Sequence, residues 1–277
     1  MKVRKHITFR ENDNPELIQY LSEQGITYSK GEIISSLECY EHDANWGYIS
    51  QYVNEKRLLC HSETIFSQLE LSNAEWLTVR SKWKNGYPQP EASFAYESIT
   101  YSSKSFCSQC GAGLTQVNPF RIKSIPKWGN KHFMMLNWIP DELFVDESAK
   151  DILQQNDVSG ISFWPVHNKT GRETLSRIYQ IAITDILHPG IRIDAQSIDT
   201  VIECPNCGIP KYHPTGIGMH SFKREIFDGA SDVVKSFEVF GWGRSACRLI
   251  IINQKTYQLL IQHKLDKNLV FEPVMLV

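Results

Sequence analysis

The sequence contains two copies of a short motif in which two cysteines, separated by two residues, are followed by glycine. The copies read CSQCG at 107–111 and CPNCG at 204–208. Two thiols at this spacing can face the same ion, and glycine can adopt the left-handed backbone conformation that closes the turn. Two such turns supply the complete ligand shell of a tetrahedral structural zinc ion. The motifs therefore predict a zinc site formed by Cys107, Cys110, Cys204 and Cys207.

The same four cysteines leave other interpretations open. Each pair could be a dithiol redox centre, but redox pairs usually sit at a helix N-terminus that lowers the thiol pKa, and neither pair clearly begins a helix. Two separate zinc sites, completed by histidines such as His213 or His220, are a further alternative. A catalytic zinc needs an open coordination position. Because four thiolates leave none, we predict a structural ion and no catalytic residue at this site.

The composition indicates a protein that folds without disulfides in a reducing compartment. The chain has 277 residues, of which 42% are hydrophobic, and this is enough for a substantial core. Seven cysteines are an odd number, and we interpret Cys39 and Cys60, which lie outside the motifs, as small buried hydrophobic residues. Whether these two and Cys247 are only buried thiols is left open. No apolar run of signal-peptide length follows the basic N-terminus, and no stretch approaches the roughly 18 apolar residues that cross a bilayer. We therefore expect a soluble, cytoplasmic protein without membrane contact.

The segments that follow the two motifs share an order of parts. Each has a strand, a polar helix cap, a short amphipathic helix, a second strand and a Pro-Val dipeptide. The predicted caps are Asp146 and Asn253, and the dipeptides lie at 165–166 and 273–274. We interpret this order as an ancient duplication. The first repeat covers about 101–170 and the second about 198–277.

These patterns predict an α+β fold of two duplicated αβ units with mixed sheets, joined at a zinc-ribbon-like site of four cysteines. The stretch between Cys110 and Cys204 is too long for an independent zinc finger. A shared ion would instead clip the two repeats together and close a long loop. The repeats form a domain at 101–277, and we expect residues 1–100 to form an α/β segment packed on it.

Several secondary-structure elements are predicted around this framework. In the N-terminal segment we expect strands at Val3–Phe9, Ile33–Tyr40 and Trp46–Val53, a helix from Pro15 carrying Leu17, Ile18 and Leu21, and a second helix from Asn73 carrying Trp76, Leu77, Val79, Arg80 and Trp83. Later strands are predicted at His132–Trp138, Ile161–Trp164, Phe237–Phe240, Leu249–Ile252 and Leu269–Val274.

Charge and motif content narrow the function further. The net charge of −2 argues against general nucleic-acid binding. No Ser-His-Asp order, paired-carboxylate motif or nucleotide fingerprint stands out, so we predict no enzymatic activity and name no catalytic residue. A zinc ribbon that contacts nucleic acid and an enzyme with an unrecognised site remain the alternatives.

The two CxxCG motifs, about 100 residues apart, resemble the bacterial double-CxxCG motif family. The resemblance covers roughly 75–277 and depends on the four cysteines with Gly111 and Gly208. Some members are assigned as immunity proteins of polymorphic toxin systems. The resemblance implies a non-catalytic, zinc-binding protein that binds and neutralises a cognate toxin. Acidic residues beside Trp46 are candidate toxin contacts, namely Glu38, Glu41 and Asp43. The toxin's identity and the oligomeric state are left open.

Overall fold

A computed structural model of the chain, which describes residues 1–193 and 196–277, shows an α+β fold dominated by strands. Over these residues there are twenty β-strands and six α-helices. Two compact units are formed, one by Met1–Glu70 with Thr215–Gly218 and the other by Leu71–Pro214 with Met219–Val277. None of the described helices is both long and apolar enough to cross a membrane.

The first unit is a three-stranded antiparallel sheet with two helices. Its strands are β1 (Lys2–Phe9), β2 (Ser35–Tyr40) and β3 (Leu59–Ile65), in the order β2-β1-β3. Its helices are α1 (Pro15–Glu23) and α2 (Trp46–Lys56). The apolar face of β1 packs on both helices in a core that includes Ile7, Phe9, Leu17, Leu21 and Ile49.

One predicted element of this unit is wrong, while three others are confirmed. Strands β1 and β2 and helix α1 lie where the sequence predicts them. The segment predicted as a strand at Trp46–Val53 forms helix α2 instead. Its buried residues Ile49, Tyr52 and Val53 lie three and four positions apart, which places them on one face of a helix rather than of a strand.

The second unit contains the remaining elements. Its strands are β4 (Trp76–Ser81), β5 (Tyr101–Ser102), β6 (Thr115–Gln116), β7 (Arg121–Ile122), β8 (Phe133–Leu136), β9 (Ile139–Val145), β10 (Ile161–Asn168), β11 (Thr174–Ile183), β12 (Ile191–Arg192), β13 (Ile198–Glu203), β14 (Pro210–Pro214), β15 (Ser221–Phe222), β16 (Val233–Lys235), β17 (Val239–Phe240), β18 (Ile250–Asn253), β19 (Leu269–Pro273) and β20 (Met275–Leu276). The helices that follow α2 in the chain are α3 (Gln68–Asn73), α4 (Tyr96–Thr100), α5 (Glu147–Gln155) and α6 (Gln254–Gln262).

Two larger sheets form the framework of this unit. The first has the order β7-β10-β11-β9-β8, and the second has the order β16-β18-β4-β19. The first is mixed, since β7 runs parallel to β10 while the other pairs are antiparallel. Both sheets and helices α5 and α6 contribute to a single hydrophobic core. Smaller sheets have the orders β12-β15-β20, β13-β14-β17 and β5-β6.

Strand β4 replaces the helix that the sequence predicts from Asn73. It lies between β18 and β19, so that Leu77, Thr78 and Val79 are all buried. A central strand with both faces covered loses the alternation that identifies strands in a sequence. Because β4 belongs to the second unit, the compact units divide at residue 70, whereas the sequence-based division lies at residue 100.

The two larger sheets pair their strands in the same register. In the first, Tyr179 of β11 lies opposite Val145 of β9, and in the second Leu77 of β4 lies opposite Ile252 of β18. On the opposite edge of β11, Ile183 pairs with Ile161 of β10. On the opposite edge of β4, Ser81 pairs with Leu269 of β19. The register of the outer strands corresponds as well. Phe133 of β8 pairs with Val145, and Val233 of β16 pairs with Ile252.

This correspondence reveals an exchange of strands that the sequence did not predict. Strand β11 lies between β9 and β10, and its counterpart β4 lies between β18 and β19. In the chain, β4 precedes the first cysteine motif and β11 precedes the second. The unit therefore has two halves, one from β4 to β10 and the other from β11 to β20. Each half places its first strand in the centre of the other half's sheet.

The two predicted helix caps are confirmed. The Asp146 side chain accepts a hydrogen bond from the backbone nitrogen of Ala149 at 2.9 Å. The Asn253 side chain accepts one from the backbone nitrogen of Thr256, also at 2.9 Å. These bonds satisfy backbone donors in the first turns of α5 and α6.

We expect Asp146→Ala and Asn253→Ala each to lower the free energy of unfolding by about 1 kcal/mol, because each removes a cap. Urea denaturation measures the change. The matched controls are Asp146→Asn and Asn253→Ser, which keep an oxygen acceptor and should retain most of the stability. Equal losses in the alanine and control variants would show that the caps are not the cause.

Candidate metal centre

Each cysteine motif forms a turn at the tip of a strand pair. The first lies between β5 and β6, and the second lies between β13 and β14. In each turn the glycine nitrogen donates to the carbonyl oxygen of the first cysteine, from Gly111 to Cys107 and from Gly208 to Cys204, at 2.8 Å. The two glycines have φ angles of +80° and +71°, the left-handed conformation expected from the sequence.

Glycine at 111 also permits a close approach of backbone. A Cβ atom at this position would lie 1.9 Å from the carbonyl oxygen of Arg244. The segment around Arg244 therefore packs directly against the first cysteine turn, and any larger residue would force the two apart.

The two turns bring the four cysteine sulfurs into one cluster. All four Sγ atoms lie within 4.8 Å of one another. The distance between the Sγ atoms is 3.8 Å for Cys107 and Cys204, and 3.6 Å for Cys110 and Cys207. Tetrahedral zinc with Zn–S bonds of about 2.3 Å holds its sulfurs about 3.8 Å apart. The cysteines are free thiols, and their arrangement fits a tetrahedral metal ion.

A hydrogen bond lowers the pKa of one of these thiols, and burial raises the pKa of another. The side-chain nitrogen of Asn206 donates to Cys107 Sγ at 3.2 Å and lowers the pKa of that thiol to about 6. Burial raises the pKa of the Cys110 thiol to about 12. Metal binding requires thiolates, so an ion would have to displace the proton of Cys110, whereas Cys107 loses its proton more readily.

A buried lysine adjoins the cluster. Lys211, on β14, donates from Nζ to the carbonyl oxygens of Cys110, Gly243 and Ser245 at 3.0, 2.7 and 2.6 Å. Burial lowers the pKa of Lys211, and the neighbouring thiols oppose this effect. Four thiolates around a divalent ion carry a net charge of −2, which a nearby ammonium partly offsets. Lys211 also anchors the segment that packs on Gly111.

The geometry favours one shared site over the alternatives. The group of possible metal ligands among the described residues contains the four cysteines and neither His213 nor His220. The turns are followed by strands β6 and β14 rather than by helices, so no helix N-terminus stabilises either thiol pair. Both observations weigh against separate zinc sites and against a pair of redox centres.

The other three cysteines lie outside this cluster. Cys39 is buried, and Cys60 and Cys247 are partly buried. Burial raises the pKa of Cys39 to about 11 and that of Cys247 to about 12, so neither is a reactive thiolate at neutral pH.

The acidic residues proposed as toxin contacts lie in the first unit and have partners there. Glu38 pairs with Arg4 at 3.4 Å, and Glu41 pairs with Lys5 at 2.8 Å. Asp43 accepts a hydrogen bond from the Tyr40 backbone nitrogen at 2.7 Å. Nearby cations therefore offset part of this acidic charge.

Sequence reasoning missed Asn206 and Lys211. Asn206 lies between the cysteines of the second motif, and its amide could have been predicted from that position as a hydrogen-bond donor to a cysteine sulfur. The burial of Lys211 could not be predicted from the sequence, because a lysine in a short strand usually lies on the exposed face.

We expect Cys207→Ser to remove the bound metal and to lower the melting temperature, because three sulfurs cannot complete the tetrahedral shell. Cys207 is exposed, so the substitution itself removes little buried surface. Elemental mass spectrometry and thermal melting with and without a chelator measure the two effects. The control is Cys60→Ser, which should keep the metal. A Cys207→Ser protein that melts like the wild type would contradict a stabilising role for the ion.

We expect Lys211→Met to weaken metal binding by about tenfold to a hundredfold, because it removes the charge and the hydrogen bonds around the ligands. Competition with a chromophoric chelator measures the affinity. The control is Lys223→Met, at a more exposed lysine. An equal effect of the two substitutions would rule out a specific contribution of Lys211.

No protein-family model matches the chain, and no curated protein matches it either.

Proposed function

We propose that this protein is a non-catalytic binding protein in which four cysteines hold one structural zinc ion, and that it neutralises a cognate bacterial toxin. The observation that carries the non-catalytic role of the metal is the ligand set. Four sulfurs from the chain occupy every position of a tetrahedral shell, so no position is open for a water molecule or a substrate.

Zinc fits the donor set best among the common ions. Thiolates are soft ligands, and a tetrahedral set of four selects zinc or iron rather than magnesium or calcium. Free thiols and thiolate metal sites both persist in a reducing compartment, which supports a cytoplasmic location.

We infer further that the second unit arose by duplication. The matching strand registers and the matching caps support this origin more strongly than the few sequence identities do. On this view each copy contributes one cysteine turn, and the ion joins the two copies. The copies begin with β4 and β11, earlier than the repeats drawn from the sequence.

The toxin partner is supported by the resemblance of the two CxxCG motifs to a family that includes immunity proteins. An immunity protein acts by occupying a surface of its toxin, which requires a stable scaffold and no reacting group. The zinc site and the exchanged strands provide such a scaffold.

The test is co-expression with toxin domains of polymorphic toxin systems. We expect restored growth and a stoichiometric complex on size-exclusion chromatography, because the protein covers the toxin's active surface. A charge-reversed variant, with lysine at Glu38, Glu41 and Asp43, should bind at least tenfold more weakly while keeping its zinc.

Three results would count against this proposal. Unchanged toxin binding by the charge-reversed variant would exclude that surface. Failure to protect the cell would exclude the immunity role. Binding to duplex DNA that weakens steeply with salt would favour a nucleic-acid-binding protein instead.

A further inference from the structure

A cavity of about 760 Å³ lies in the second unit beside the first cysteine turn. Its lining includes Glu142 of β9, Trp164 of β10 and Ala182 of β11, which occupy neighbouring strands of the five-stranded sheet. Residues 111–116 and 244–248 contribute further lining. This volume is within the range of sites for small organic molecules.

Two buried charges meet at the wall of this cavity. Lys235 Nζ donates to Glu142 Oε1 at 2.6 Å and lies 3.8 Å from Asp141 Oδ2. Gln180 Nε2 donates to the second oxygen of Glu142 at 2.9 Å. Lys235 and Glu142 are only 8% and 9% exposed. Burial disfavours the ammonium, but Asp141 and Glu142 outweigh it and raise the pKa of Lys235, so this lysine is charged at neutral pH.

The fold does not require these charges, because its other half is built without them. Lys235 and Met135 occupy equivalent positions, each bridged to the segment that follows the exchanged strand. When the correspondence of Val145 with Ile252 is extended along both strands, Leu249, just before β18, takes the place of Glu142. A buried ion pair is often no more stabilising than apolar residues of similar size. The pair therefore points to a role in the cavity rather than in folding.

Aromatic side chains form another part of the wall, among them Tyr96, Tyr101, Trp138 and Trp164. Trp138 is 45% exposed, and its φ of +71° is a conformation that residues other than glycine seldom adopt. Its ring packs against Phe94 and Tyr96, with centroids 4.7 and 6.1 Å apart. Trp138 lies in the two-residue turn between β8 and β9, where a positive φ is common, so the exposed ring rather than the backbone supports a ligand role.

The charged residues of the lining balance each other. The acidic ones are Glu97, Asp141 and Glu142, and the basic ones are Lys235, Arg244 and Arg248. Several of these charges pair with one another, Lys235 with Asp141 and Glu142 and Arg244 with Glu97, so a ligand of one sign would compete with an existing partner and meet its repulsion. A molecule that carries both signs can pair with both sets at once.

We propose that this cavity binds a small zwitterion with an aromatic side chain, of the amino-acid class. Its carboxylate pairs with Lys235, its ammonium group pairs with Asp141, and its ring packs among the tyrosines and tryptophans. This binding is independent of the metal centre and of the toxin surface, since none of its charged contacts is a metal ligand or one of the acids beside Trp46.

Three related probes test the requirement for both charges. Isothermal titration calorimetry of the wild-type protein should show binding of L-tryptophan. L-Tryptophanamide lacks the carboxylate and N-acetyl-L-tryptophan lacks the ammonium group, so each should bind at least tenfold more weakly. Equal binding of all three, tighter binding of uncharged adenosine, or no binding of L-tryptophan at millimolar concentration would overturn the proposal.

The chain itself supplies the variant that separates binding from folding. The double substitution Lys235→Met and Glu142→Leu copies the residues of the other half. We expect it to melt at or above the wild-type temperature, to retain its metal, and to bind L-tryptophan at least tenfold more weakly. Undiminished binding would overturn the proposal. If this variant does not fold, Trp138→Ala at the exposed ring should weaken binding as well, and its failure to do so would be equally decisive.

Discussion

The hydrogen bonding of two central strands is the constraint on which the second unit depends. A strand inside a sheet satisfies its backbone groups on both edges, and an unpaired buried edge is costly. Strand β4 obtains both partners from residues 250–273, and β11 obtains both from residues 139–168. Neither sheet is complete without a strand from the other half. The single core that spans both sheets, with its helices α5 and α6, follows from this exchange.

The four-cysteine cluster adds a second link between the same two halves. Each half contributes one turn, and the sulfurs meet only when both hairpins are in place. Lys211 extends the link, because it joins the second hairpin to the backbone of Cys110 and to the segment that packs on Gly111. Strand pairing thus holds the halves together at their sheets, and the cysteine turns hold them together at the hairpin tips. A metal ion bound by these four cysteines would reinforce an arrangement that the backbone already favours.

Local signals made part of this structure predictable. The caps Asp146 and Asn253 act within their own first turns, and the cysteine motifs define their turns by spacing alone, so both could be predicted from short segments. Strand β4 could not, since its burial on both faces is imposed by partners far along the chain. The aromatic and β-branched residues of Trp46–Val53 favour a strand locally, but the core of the first unit outweighs that preference and the segment forms helix α2. The ion pair between Lys235 and Glu142 joins strands that are far apart in the sequence, so no local sequence pattern predicts it.

The exchange of strands also governs the order in which the chain can mature during synthesis. Strand β4 is among the first elements of its unit to be made, while its two partners, β18 and β19, are among the last. Until residues 250–273 have left the ribosome, β4 has neither neighbour in its sheet, and the part of the core that β18, β19 and α6 supply to Leu77 and Val79 is missing. Contacts between such distant segments slow folding and prolong the exposure of strand edges. Translation must therefore pass residue 273 before this unit can close.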